Sequence, residues 1–161
     1  MYTKSNEIGN TDTDVSQSIV EGASVAIRHE TLAALSPQQL VDCSRPFGNF
    51  GCEVGNLASA FNYVGYEGGL CELSAYPYTG VEAKCASASC SPVSPIVANC
   101  NLASDDEEKL KEGVAIQPVG VAIDSTGWQS YSGGIYASSE CGTQVDHFVV
   151  IVGYGTERYI M

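Results

Sequence analysis

The apolar residues of this chain change their spacing partway along, and that change limits the folds open to it. Over residues 15–29, Val15, Ile19, Ala23, Ala26 and Ile27 recur three and four positions apart, which predicts an amphipathic helix in spite of Gly22. A second helix is expected from "LSPQQLVDC", with Ser36 as N-cap, Pro37 at the first helical position and Gln39 able to complete a capping box, ending near Cys43. After the turn-rich "RPFGNFGCEVG", Leu57, Ala60, Phe61 and Val64 mark a third helix, which Gly65 and the later "EGG" are expected to end. From "YPYTG" onward the texture is turns and short Val- and Ile-rich runs: "QPVGVAID", "GGIYAS" and "DHFVVIVGYG" read as strands. One charged helix interrupts them, "SDDEEKLKEGVAI", for which Ser104 and Glu107 form the expected capping box. Helices first and strands afterwards predict an α+β fold of two lobes, helical over residues 1–92 and β over 93–161.

Charge and cysteine content narrow the function. Seven Lys and Arg against nineteen Asp and Glu give a net charge of −12, which repels phosphate and leaves no basic stripe for nucleic acid. No apolar run reaches the roughly eighteen residues of a membrane span, and "MYTKSNEIGNTDTDV" has neither the basic nor the apolar region of a secretion signal. Seven cysteines nevertheless point to an oxidising compartment. That conflict carries the expectation that Met1 is not the start of the parent protein. No metal site is expected, because there is no C-x2-C pair and no calcium loop around Asp105, Asp106, Glu107 and Glu108, whose acids suit a helix start. Cofactors are likewise expected to be none.

Seven blocks now stand in order: "VEG", "LSPQQLVDCS", "GNFGCEVGN…AFNYV", "YPYTG", "PVGVAID", "YSGGIY" and "CGTQVDHFVVIVGYGTE". In that order and spacing they resemble the papain family of cysteine peptidases, in cathepsin L-like flavour, from about Val20 to Glu157. The resemblance implies a helical left lobe, a β-barrel right lobe and a cleft between them, with a thiolate at the N-terminus of a central helix facing an imidazole. Helix dipole and imidazolium together lower the thiol pKa and ready it for attack on a peptide carbonyl. His147 falls on the family's histidine position.

The other members of that constellation are substituted or missing. Ten residues before Glu21, where the nucleophilic cysteine belongs, stands Thr11, and no cysteine precedes Cys43. Ser5 occupies the position of the oxyanion-hole glutamine. After "GYGTE" the family continues to an asparagine that orients the histidine; here the sequence reads "RYIM". An internal threonine lacks the free α-amine that activates a threonine nucleophile, and an imidazole without its orienting amide has no assured tautomer.

Three readings follow: an inactive papain-fold protein that binds peptides or proteins in its cleft, an incomplete chain of an active cathepsin L-like endopeptidase, and a hydroxyl-nucleophile relative resembling silicateins. A partner chain covering an open barrel edge would fit the incomplete right lobe. The resemblance also implies a Cys43–Cys85 disulfide; Cys90–Cys100 or Cys52–Cys71 are further possibilities that sequence leaves open. In the substrate cleft Gly55 is kept, Val54 replaces the family's other glycine, and Phe148 replaces its usual alanine, which implies a narrowed pocket. Leu57 and Val121 are lining candidates or simple core residues. Trp128 is expected to pack as a loop residue. Asp146, next to His147 in an extended run, is expected to face away from it and contact other groups. The resemblance and the cysteines together imply an extracellular or lysosomal to endosomal setting.

Overall fold

The computed structural model describes residues 11–29, 31–96, 98–128, 131–136 and 141–156, with the side chains of 11–15 excepted. Four helices are present among them, α1 (Thr11–Arg28), α2 (Pro37–Cys43), α3 (Leu57–Glu67) and α4 (Glu107–Ile116), followed by two strands, β1 (Val119–Ile123) and β2 (His147–Ile151). Helices plus a small antiparallel sheet make the α+β class expected from the change in apolar spacing.

Helix α1 covers Thr11–Arg28 among the described residues and so includes four residues before the first that its apolar spacing predicts. The buried stripe is also rotated: Ser16, Ile19, Val20 and Ser24 face inward, while Ala26 and Ile27 are exposed. Helix α2 starts as expected, with Ser36 Oγ accepting from Gln39 N at 3.1 Å and Pro37 in its first turn. Gln39 does not close a capping box. Its amide is buried, with Nε2 donating to Tyr63 Oη at 2.9 Å and Oε1 accepting from Cys71 N at 2.7 Å. Bonding two buried polar groups at once outweighs an end-cap contact that water can replace. Helix α3 runs through Gly65 and ends only at Gly68, whose φ of 81° suits the left-handed cap and whose N–H donates to Val64 O. The roughly 1 kcal/mol that a mid-helix glycine costs is offset by burial of its neighbours Tyr63 and Val64. In α4 the cap is Asp106, accepting from Lys109 N at 3.0 Å, rather than Ser104.

Val20, Leu35, Leu40, Cys43, Ala60, Tyr63, Val64 and Leu70 form the hydrophobic core, with Phe47, Phe61, Val93 and Ile96 packed against it. Leu35, Leu40, Val64 and Leu70 are fully buried, each worth about 1.5–3 kcal/mol by transfer. Two disulfides fasten it, Cys43–Cys85 and Cys71–Cys90. The second was not among the pairings left open by sequence. Cys71 is fully buried and its segment is bridged to Val93 through Leu70, which carries Cys90 to it; Cys52 and Cys100 are exposed instead.

The strands pair antiparallel, with His147 opposite Ile123, Phe148 opposite Ala122 and Val149 opposite Val121. "GGIYAS" is not a strand over its described residues 133–136, and its last two residues lie outside the described ones. A two-stranded sheet is marginal alone, and here α1 packs against both strands. Gly22 permits that approach: a Cβ there would sit 2.5 Å from Pro118 Cγ, at the entrance to β1. No helix among the described residues is long and apolar enough to cross a membrane.

Alanine at position 22 would gain about 1 kcal/mol of helix propensity but incur an overpacking cost of about 1–3 kcal/mol. Gly22→Ala is therefore expected to lower the thermal midpoint, and Pro118→Ala in the same chain to recover most of the loss; a midpoint raised by Gly22→Ala alone would show that the two elements do not touch.

Candidate active-site cleft

Two elements carry the histidine and its expected counterpart. Thr11 lies on α1, at the near end of its described span. His147 is the first residue of β2 and half-buried. Because α1 packs on β2, the helix that carries Thr11 and the strand that His147 opens share one interface. Ser5 lies outside the described residues, as does the side chain of Thr11.

Side chains alternate along β2, so Phe148 points to the face opposite that of His147. It stands across from Ala122 and is half-buried. Asp146 just precedes the strand. Its N–H donates to Ile123 O at 3.0 Å and its Oδ1 accepts from Ser125 N at 2.8 Å, so it contacts the facing loop, as expected for an acid directed away from the imidazole. Trp128 packs by its edge on Tyr136, at 6.3 Å between ring centres, which is the loop role expected of it.

The other cleft candidates lie on the segment leading into α3. Val54 is exposed, Gly55 and Leu57 are half-buried, and Leu57 opens the helix behind the cap of Asn56. Asn49 shapes this segment from within: it is buried, its Nδ2 donates to Ser44 Oγ at 2.8 Å and its Oδ1 accepts from Asn56 N at 2.9 Å. A turn closes over it, with Phe50 N donating to Val54 O at 2.8 Å. Arg45 ties the segment to its neighbour, meeting Glu82 through both Nε and Nη2 and lying over the Phe50 ring at 5.7 Å. Glu82 raises the pKa of Arg45 by hydrogen bonding and by charge.

A buried polar network that composition did not reveal holds Glu82 in place. Asp42 on α2 accepts from Gln38 Nε2 and Ala83 N through Oδ1, each at 2.8 Å, and from Tyr76 Oη through Oδ2 at 2.8 Å. Gln38 in turn accepts from Thr79 N at 2.9 Å and donates to Val81 O at 2.8 Å. "YPYTG" is thus sewn to "LSPQQLVDC" by side chains. The signal in the sequence was the pair Gln38 and Asp42, one helical turn apart beside an apolar stripe. Burial, then the bond to Asp42, pushes the Tyr76 phenol up to about 12.

An open groove lined by Arg28, Leu32, Ala33, Glu72, Ser94 and Pro95 contains none of these residues. Among the described residues no cluster of three or more His, Cys, Asp or Glu side chains is placed to hold a metal ion.

Residues 15–160 match the family model described as papain family cysteine protease. Cathepsin L of Sarcophaga peregrina is 41% identical over 131 residues, covering 79% of this chain and 39% of its own length. Cysteine proteinase COT44 of Brassica napus is 43% identical over 142 residues, covering 86% and 42%. Among solved structures, the Carica candamarcensis cysteine protease CMS1MS2 in complex with E-64 superposes with a TM-score of 0.83 at 35% identity, over 91% of this chain and 68% of that one. The bromelain protease of Ananas comosus in complex with the E64 inhibitor gives 0.85 at 26% identity, over 94% and 69%. The chain spans about two fifths of the length of these curated relatives.

Tyr76→Phe would leave the buried Asp42 carboxylate short of one donor, a loss of about 1–3 kcal/mol, and should lower the midpoint of urea unfolding. The raised phenol pKa fixes the sign with pH: its contribution is complete below the ordinary value of 10.0 and is lost as pH rises through about 12. Unfolding of the wild-type chain at alkaline pH should therefore set in across that window, and an unchanged midpoint in Tyr76→Phe would remove the network from the account.

Proposed function

The chain belongs to the papain family of cysteine proteases, and from that premise we propose that it is a papain-fold, peptide- or protein-binding protein without peptidase turnover. One sequence observation carries this reading: where the resemblance puts the nucleophilic cysteine, ten residues before Glu21, the chain has Thr11. Cys43 cannot substitute, since its sulfur is committed to Cys85. An internal threonine hydroxyl, with no free amine to take its proton, is a poor nucleophile at neutral pH. The oxyanion position, Ser5, offers a hydroxyl where the family has an amide.

On this reading the helical lobe comprises residues 1–92 and the β lobe 93–161. Between them an extended peptide lies across Gly55 and Leu57, held by main-chain hydrogen bonds of the β type. Val54 and Phe148 narrow the space for its side chains, and His147 sits in the base position. A partner chain covers the open edge of the small sheet, where unpaired N–H and C=O groups would otherwise invite association. Two disulfides suit an extracellular or lysosomal setting.

A second reading, an incomplete chain of a cathepsin L-like endopeptidase, is supported by the coverage, which reaches 68–69% of the solved proteases. Turnover assays test the first. The chain of this sequence should not hydrolyse a Phe-Arg fluorogenic peptide above the no-enzyme rate, and Thr11→Cys alone should not restore hydrolysis because Ser5 still holds a hydroxyl at the oxyanion position. Rapid cleavage blocked by a thiol-trapping epoxide would overturn the first reading.

A further inference from the structure

The connection between the strands holds a carboxylate that none of the roles above uses. Asp124 directly follows Ile123, the cross-strand partner of His147. Its Oδ1 accepts from Thr126 N at 3.0 Å, and its Oδ2 accepts from Gln144 N at 2.9 Å, on the segment that leads to His147. Asp146 reaches the opposite way, from the start of β2 to Ser125 N, while its own N–H bonds Ile123 O. Each acid therefore reaches from one strand end to a main-chain N–H of the other's loop. Gly142 lies so close that a Cβ added there would collide with the Asp124 carboxylate.

We propose that Asp124 is a positioning residue for His147: its carboxylate clamps the 142–146 segment to the end of β1, so that the histidine enters the sheet in a single orientation. The inference rests on His147 holding the base position of the cleft. A backbone bond from Asp146 to Ile123 fixes one point of the approaching chain; the bond from Gln144 to Asp124 fixes a second, two residues earlier. Two points determine the direction of the segment, where one leaves it to pivot. Bonds to an ionised acceptor are roughly twice as strong as neutral ones. Hydrogen bonds from the Thr126 hydroxyl and from the two main-chain N–H groups hold the Asp124 carboxyl below the usual carboxylate range, so the clamp is charged at mildly acidic pH as well.

Nitrogen-15 NMR of the full chain labelled at histidine tests this, because the chain has two histidines and His29, at the far end of α1, is an internal control. Asp124→Ala should double or broaden the His147 ring signals, with the His29 signals unchanged. Asp124→Asn, which retains acceptor oxygen, should give a smaller change. Gly142→Ala, which displaces the carboxylate without removing it, should reproduce the effect of Asp124→Ala. If Asp124→Ala unfolds, the other two variants decide by the same criterion. Unaltered His147 signals in these variants, with faster exchange of the Gln144 N–H alone, would reduce Asp124 to a loop cap and overturn the proposal. Adding an extended apolar peptide to the wild-type sample tests the cleft separately: binding that leaves His147 unmoved would remove the cleft reading and leave the clamp standing.

Discussion

Helix α1 is the wall on which both halves of the molecule lean. Val20 is buried in the core it shares with α2 and α3, while two residues on, Gly22 lets Pro118 and the sheet approach the same helix. Glu21, between them, accepts from Leu35 N at 2.6 Å and from Gln17, stitching the helix to the segment that precedes α2. A two-stranded sheet of half-buried residues has too little apolar surface to stand by itself. It is the contact with α1 that gives β1 and β2 a support, and with them a fixed place for His147.

The segments that carry the candidate cleft residues are held by polar side chains more than by apolar packing. Asn49 organises the turn before α3 from inside, Asp42 and Gln38 bind the "YPYTG" segment to α2, and Asp124 and Asp146 bind the two loops at the end of the sheet. Each is an amide or carboxylate bonding to main-chain N–H groups that irregular backbone would otherwise leave unpaired. Loops cannot satisfy their own backbone as helices do, so a cleft built from loops needs such residues.

That division also explains what could be read from the sequence. The α+β order, the start of α2 at Ser36 and Pro37, and a strand within "DHFVVIVGYG" all follow from local spacing, and the structure has them, the strand over His147–Ile151 alone. Gln39 and Gly65 were misread because tertiary partners overruled local signals: Tyr63 and Cys71 claimed the glutamine amide, and packing carried α3 past the glycine. The Cys71–Cys90 bond depends on which segments meet, through Leu70 and Val93, and no spacing rule encodes that. For the site, His147 and the cleft residues were placed by resemblance, whereas the supports Asn49, Asp42 and Asp124 were not singled out. The bonds by which they tie separate segments together span seven to about forty residues of the chain.

The central claim is that an extended peptide binds between the segment of Gly55 and Leu57 and the start of β2 and leaves uncut. Hydrogen exchange followed by mass spectrometry, with and without an extended peptide rich in apolar side chains, addresses it most directly. The account predicts slower exchange in residues 51–57 and 145–149 together, with the peptide recovered at its original mass. Exchange unchanged in both segments, or a peptide recovered as two fragments, would contradict it.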